Sequence, residues 1–138
     1  MTYWEHYPHD ADMGVRGYGE TKAQAFEQAL LALTAIIVNP DKLHAEKKIS
    51  VHCAAEDDEL LFADWLNSII YHMATDDLFF CRAKVNIDNG QLDAELWGEA
   101  IDVKRHQPTV EVKGATYTTL KVVEYKPGEW LAQTVVDV

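Results

Sequence analysis

The stretch Arg82-Ala-Lys-Val-Asn-Ile-Asp-Asn-Gly-Gln-Leu-Asp-Ala-Glu-Leu96 decides the fold. Ala83, Val85 and Ile87 alternate with Arg82, Lys84 and Asn86, and Leu92, Ala94 and Leu96 alternate beyond Asn89–Gly90. Period-two alternation marks a strand with one buried face, and Asn-Gly between two such runs is a hairpin signal. Downstream the chain stays β-rich. Val110 and Val112 resume the alternation, and Leu120–Tyr125, a Pro127–Gly128 turn and the run from Trp130 make a last hairpin. Upstream, Leu61, Phe62, Trp65, Leu66, Ile69, Ile70 and Met73 form the apolar face of a helix. Before it, Ile49, Val51 and Cys53 alternate as a strand. An earlier helix opens at Thr21, with Gln24 completing a capping box, and carries Phe26, Ala29, Leu30, Leu33, Ile36 and Ile37 on one stripe until Asn39–Pro40 stops it. Met13–Gly19 reads as a short strand whose glycines bring its backbone close to another element. The expected architecture is α+β: one domain over residues 1–138, two helices packed on a mostly antiparallel sheet of about seven strands, with the β-rich half C-terminal.

With 138 residues and 48% apolar content, the chain fills a single-domain core. The charge is lopsided: 12 Lys+Arg face 23 Asp+Glu, a net −11. Gripping a nucleic-acid backbone or an anionic membrane runs on cationic side chains, so both are disfavoured, and basic partners or metal cations fit better. Cys53 and Cys81 form no CxxC pair and read as buried small hydrophobes. The first residues lack a basic segment followed by an apolar one, and no apolar run reaches the ~20 residues of a membrane span. A reduced, cytoplasmic protein is expected.

Three constellations carry candidate chemistry. His9, Asp10 and Asp12 gather before the glycine-spaced strand, where the ordinary reading is an Asp-rich turn. Asp137 falls on the strand face of Leu131 and Val135 and stands beside the α-carboxylate of Val138. Frayed ends are common, yet the apolar pattern continues to the last residue. If Asp12 meets Asp137 and that carboxylate, three hard anionic oxygen groups converge, a set suited to Ca²⁺ or Mg²⁺. Lys113 alternates out of the Val110/Val112 face; it reads as a solvated lysine, or as a cation for phosphate or a partner's carboxylate. The acidic run Glu56–Asp57–Asp58–Glu59 reads as helix capping rather than as metal ligands. No HExxH, G-x-S-x-G, Walker A or Rossmann pattern occurs, which disfavours self-contained hydrolytic or nucleotide-binding machinery.

At these same places the chain resembles the archease family. The matching segments are His9-Asp-Ala-Asp-Met-Gly14 with Tyr18-Gly-Glu-Thr21, then Asp58-Glu-Leu-Leu-Phe-Ala-Asp-Trp-Leu-Asn67. Val112-Lys-Gly-Ala-Thr-Tyr117 follows, with the ending Gly128-Glu-Trp-Leu-Ala-Gln133 and Val136-Asp-Val138. The four segments lie in register across the chain. The resemblance implies an accessory protein, not an enzyme, that promotes guanylylation and multiple turnover of an RtcB-type RNA ligase in tRNA splicing or RNA repair. Contact with RNA is then indirect, through the ligase. It also implies a divalent-metal site, calcium first, with Asp12, Asp137 and Val138 as ligands, and places the family's lysine on Lys113. His9 joins Lys113 as a partner-contact residue. Departures exist: Asp10 stands where the family commonly has Thr, Gly114 where it has Ala, and Thr118 at a position often held by His. The Thr118 difference weakens any acid–base role there. A chaperone-like module with a purely structural ion is the alternative, and a metal-dependent phosphohydrolase ranks last for want of a general base or nucleophile.

Overall fold

The computed structural model describes all residues, Met1–Val138, as eight strands and three helices. In chain order these are β1 (Tyr3–His9), β2 (Asp12–Gly19), α1 (Lys22–Ile37), β3 (Lys47–Ala54), α2 (Asp58–Thr75), β4 (Leu78–Asp88) and β5 (Gln91–Ala100). The four-residue α3 (Val103–His106), β6 (Gly114–Ala115), β7 (Lys121–Lys126) and β8 (Glu129–Asp137) follow. The α+β expectation holds. The strands, however, split into two antiparallel sheets, β1-β2-β8-β6 with β7 also on β8, and β3-β5-β4.

Helix α1 separates the sheets, packing on β2 and β8 of one and on β4 of the other. Its N-terminus makes the forward bond of the expected capping box, Thr21 Oγ1 accepting the Gln24 N–H at 3.1 Å, while Gln24 Oε1 reaches one residue beyond the cap to take the Glu20 N–H at 2.9 Å. None of its residues is exposed. Ala23, Leu31 and Ala35 widen the apolar surface beyond the single stripe, and the polar Lys22, Gln24, Glu27 and Gln28 are half-buried. Polar groups reach it from all sides. Trp65 Nε1 on α2 donates to the Phe26 carbonyl (2.9 Å), His6 Nε2 on β1 donates to the Ala32 carbonyl (2.7 Å), and Thr34 Oγ1 donates to the Phe80 carbonyl on β4 (2.7 Å). One contiguous core of 29 buried residues results.

The Asn89–Gly90 turn joins β4 to β5 with both residues at positive φ (50° and 73°), as a type I′ turn requires. The acidic run behaves as a helix start. Asp57 Oδ1 caps the Leu60 N–H (2.8 Å), Asp58 pairs with Lys22 (2.9 Å), and Glu59 Oε2 accepts the Val122 N–H (3.2 Å). Cys53 is buried and Cys81 half-buried; burial pushes both thiols up.

One expected strand is corrected, and one strand is new. Val110–Val112 is not a strand: only Val112 is buried, and pairing begins at Gly114, where the chain first meets the edge of β8. Residues 3–9, with no clean alternation and with Pro8, nonetheless form β1, because β2 offers them a full antiparallel edge from Tyr3↔Tyr18 to His9↔Asp12. The polar stretch after Asp102 is a turn of helix around a buried carboxylate. Glu99 (2% exposed) accepts from His106 Nε2 at 2.9 Å and from Arg105 Nη2 at 2.7 Å. His106 Nδ1 takes the Asp102 N–H at 2.9 Å, so the ring proton sits on Nε2, facing Glu99. Burial pushes the Glu99 carboxyl up, but the His106 and Arg105 hydrogen bonds outweigh it and hold it below its ordinary value. No helix is long and apolar enough to cross a membrane.

Candidate functional site

The site is built by register. Strands β1 and β2 meet in a two-residue turn, Asp10–Ala11, with His9 opposite Asp12 and Asp10 at φ 53°. Asp tolerates that left-handed conformation, so it suits the turn sterically. Strand β2 then runs antiparallel to β8, with Met13 opposite Val136. One further step along this register aligns Asp12 with Asp137. On the other edge of β8, Gly114 lies opposite Asp137, and the Lys113 N–H donates to the Asp137 carbonyl at 2.8 Å. The Val138 N–H donates to Asp12 Oδ1 at 3.3 Å. The terminal residue is therefore tied in rather than frayed, and its side chain packs against the core.

Sequence positions 12, 113, 137 and 138 thus come together at one end of the sheet. His9 is adjacent through its pairing with Asp12, and its Nδ1 lies 3.7 Å from the exposed Asp10 carboxylate. Cross-strand partners share a face, which puts His9, Asp12 and Asp137 on the sheet face away from α1. Lys113 is one residue out of phase with Gly114. It lines instead a 690 Å³ groove beside α2, together with Ile70 and Tyr71. Its ammonium forms no ion pair; its backbone N–H ties it to the Asp137 main-chain carbonyl.

No three His, Cys, Asp or Glu side chains converge anywhere in the molecule. The candidate donor set is two side-chain carboxylates and one main-chain carboxylate, all hard oxygens and all anionic. With one Asp12 oxygen engaged by the Val138 N–H, the other remains available. That chemistry fits Ca²⁺ or Mg²⁺ and not a soft metal. Asp137 is exposed, so a cation there keeps open positions for water or a partner's oxygens.

Next to this set lies a network absent from the sequence reading. Arg16 donates from Nη1 to Glu5 (2.6 Å) and from Nε to Gln133 (2.8 Å), and its guanidinium sits 4.4 Å over the Tyr7 ring. Tyr7 shares a hydrogen bond with Thr119 (2.7 Å), and Gln133 Nε2 donates to the Thr119 carbonyl (2.9 Å). The Arg16 hydrogen bond holds the Glu5 carboxyl below its usual range; burial and Glu5 push Tyr18 up to about 12. Recognising β1 is the step that would have found this network, since Glu5 and Tyr7 belong to it. Thr118 serves through its backbone: its carbonyl accepts the Val135 N–H at 3.2 Å, and its side chain is exposed. The side-chain chemistry of that position is therefore not needed for the fold.

Comparison with known proteins spans nearly the whole chain. The model of the archease protein family (MTH1598/TM1083) matches residues 4–138. The archease of Pyrococcus furiosus is 38% identical over 142 residues, covering the whole of both chains. The solution structure of protein 1598 from Methanobacterium thermoautotrophicum superimposes with a TM-score of 0.81 at 26% identity, covering 98% of each chain. An archease from Thermotoga maritima, described as a possible chaperone, gives a TM-score of 0.56 at 18% identity over 97% of this chain and 96% of that one. That last likeness bears on the fold alone.

Proposed function

This chain belongs to the archease family, and from that premise we propose that it is a cytoplasmic accessory protein of an RtcB-type RNA ligase. It promotes guanylylation and repeated turnover of the ligase in tRNA splicing or RNA repair, and it meets RNA only through its partner. The observation that carries the reading is the register of β2, β8 and β6, which gathers Asp12, Asp137, Val138 and Lys113 at one sheet end. Asp12, Asp137 and the Val138 carboxylate hold a divalent cation, calcium first, which when bound supplies positive charge toward a nucleotide phosphate. Lys113, free of any ion pair, adds a mobile cation for a phosphate or a ligase carboxylate, and His9 contacts the partner beside it. The rest of the acidic surface suits docking on a basic, RNA-handling protein.

The test is stimulation of ligase guanylylation with and without Ca²⁺, Mg²⁺ and Mn²⁺. Asp12→Ala and Asp137→Ala should each abolish stimulation while keeping the wild-type circular dichroism spectrum. Full stimulation by both variants overturns the proposal. A second reading, a chaperone-like module with a structural ion, draws on the exposed Tyr71 and Val110 beside the apolar groove. Under it, substitutions at that groove impair partner solubility more than Asp12→Ala does, and calcium removal acts on melting temperature alone.

A further inference from the structure

Strand β6 is two residues long, too short to hold its own place in a sheet. Toward β8 it is fixed by Gly114↔Asp137 and Ala115↔Val136, flanked by the Lys113 and Thr116 N–H groups donating to the Asp137 and Val135 carbonyls. Toward the other side the Ala115 N–H points away from β8 and would be an unpaired edge donor. Asn67, on the exposed flank of α2, accepts it through Oδ1 at 2.9 Å. Upstream, the last backbone tie before Lys113 is the Thr109 N–H to the Ile37 carbonyl, and residues 110–112 make no backbone hydrogen bond through their N–H groups. The lysine therefore hangs between a loosely tied segment and a strand clamped from both edges, and one of the two clamps is a single side-chain carbonyl.

We propose that Asn67 is a positioning residue: by bonding the Ala115 N–H it fixes β6 between α2 and β8 and so sets where Lys113 stands relative to Asp12 and Asp137. This rests on the accessory-protein reading above, in which Lys113 acts on the ligase. Asn67 is not among the residues that line the groove, and its side-chain oxygen bonds the Ala115 N–H rather than a candidate cation ligand. Its effect passes through the backbone of residues 113–115. Oδ1 is the atom that matters, so Asp at this position keeps the contact and Ala removes it. A neutral hydrogen bond at an exposed strand edge contributes only about 1 kcal/mol, so its loss leaves the fold intact.

The experiment measures guanylylation of the partner ligase as the full-length protein is titrated in, giving a maximal stimulated rate and a half-saturating concentration. Wild type, Asn67→Ala, Asn67→Asp, Lys113→Ala, Asp12→Ala and the Asn67→Ala/Lys113→Ala double variant are compared. Asn67→Ala should lower the maximal rate about fivefold, the equivalent of that hydrogen bond of about 1 kcal/mol, with half-saturation and calcium affinity unchanged. Asn67→Asp should recover most of the rate. The double variant should be no worse than Lys113→Ala alone, because the two residues act on one step. A wild-type maximal rate for Asn67→Ala, alongside a loss for Lys113→Ala, overturns the inference and leaves the accessory reading standing. So does a change confined to half-saturation, which marks a docking role. Full stimulation by Lys113→Ala refutes the positioning argument at its target, and full stimulation by Asp12→Ala as well refutes the functional reading beneath it.

Discussion

Gly17 lies so close to α1 that a Cβ on it would overlap the Ala25 carbonyl, and the Ala29 amide is nearly as near. Both obstacles are backbone, inside the most buried helix of the molecule, so neither can swing aside. Gly17→Ala should destabilise by about 3 kcal/mol, in the range of overpacked cores, measured as a drop in the urea midpoint with an unchanged slope. A change under a few tenths of a kcal/mol would show that β2 and α1 can separate at little cost. The glycine spacing of Met13–Gly19 anticipated this close approach. It did not anticipate that Gly14 faces the other way, where a Cβ would strike the Tyr7 ring. The partner, Tyr7, belongs to a strand that the local pattern does not announce.

At the scale of elements, the turn α3 exists to bury one carboxylate. Glu99 lies on β5, within reach of α3, and its folded-state pKa is below the ordinary 4.5. A depressed carboxyl stabilises the folded state fully above its unfolded pKa, and the contribution fades as the pH falls through the folded pKa. Glu99→Gln should therefore cost about 1.5 kcal/mol at neutral pH, and the gap from wild type should narrow as the pH drops below 4.5. Melting curves across the acidic range check it; a gap independent of pH would mean that the charge of Glu99 contributes nothing. Helices α1 and α2 were legible from their apolar periodicity, and their starts, at Thr21 and within the acidic run Glu56–Glu59, from the chemistry of N-terminal amides. β6 and α3 were not. A two-residue strand has no period, and a single helical turn is set by what it covers rather than by propensity.

For the whole molecule, the net −11 divides into parts. The acidic start of α2 is spent on amides and on Lys22, Glu5 is held by Arg16, and Glu99 by Arg105 and His106. Asp12, Asp137 and the Val138 carboxylate have no cationic side chain on them. Under the proposed function, a cation bound there would be linked to the entire fold, since Asp12 and the Asp137–Val138 end are far apart in the chain and reach one sheet end only through the pairing of β2 with β8. Calcium at 100 times its dissociation constant should therefore raise stability by about 2.7 kcal/mol, read as a concentration-dependent melting temperature. Asp12→Ala should remove that dependence. A melting temperature indifferent to calcium in the wild type would refute the site.

The sequence by itself determined the class, because period-two alternation, helical spacing and turn residues are local and need no partner to be read. It also supplied the candidate residues, through their chemical type and their resemblance to a family. Tertiary structure decided the rest: the splitting of the strands into two sheets around α1, the existence of β1, and the meeting of Asp12 with Asp137 and Val138. Each of these is a pairing between segments far apart in the chain. Register across a sheet is fixed by which edges and faces are free once the core has closed, and no local pattern carries that information.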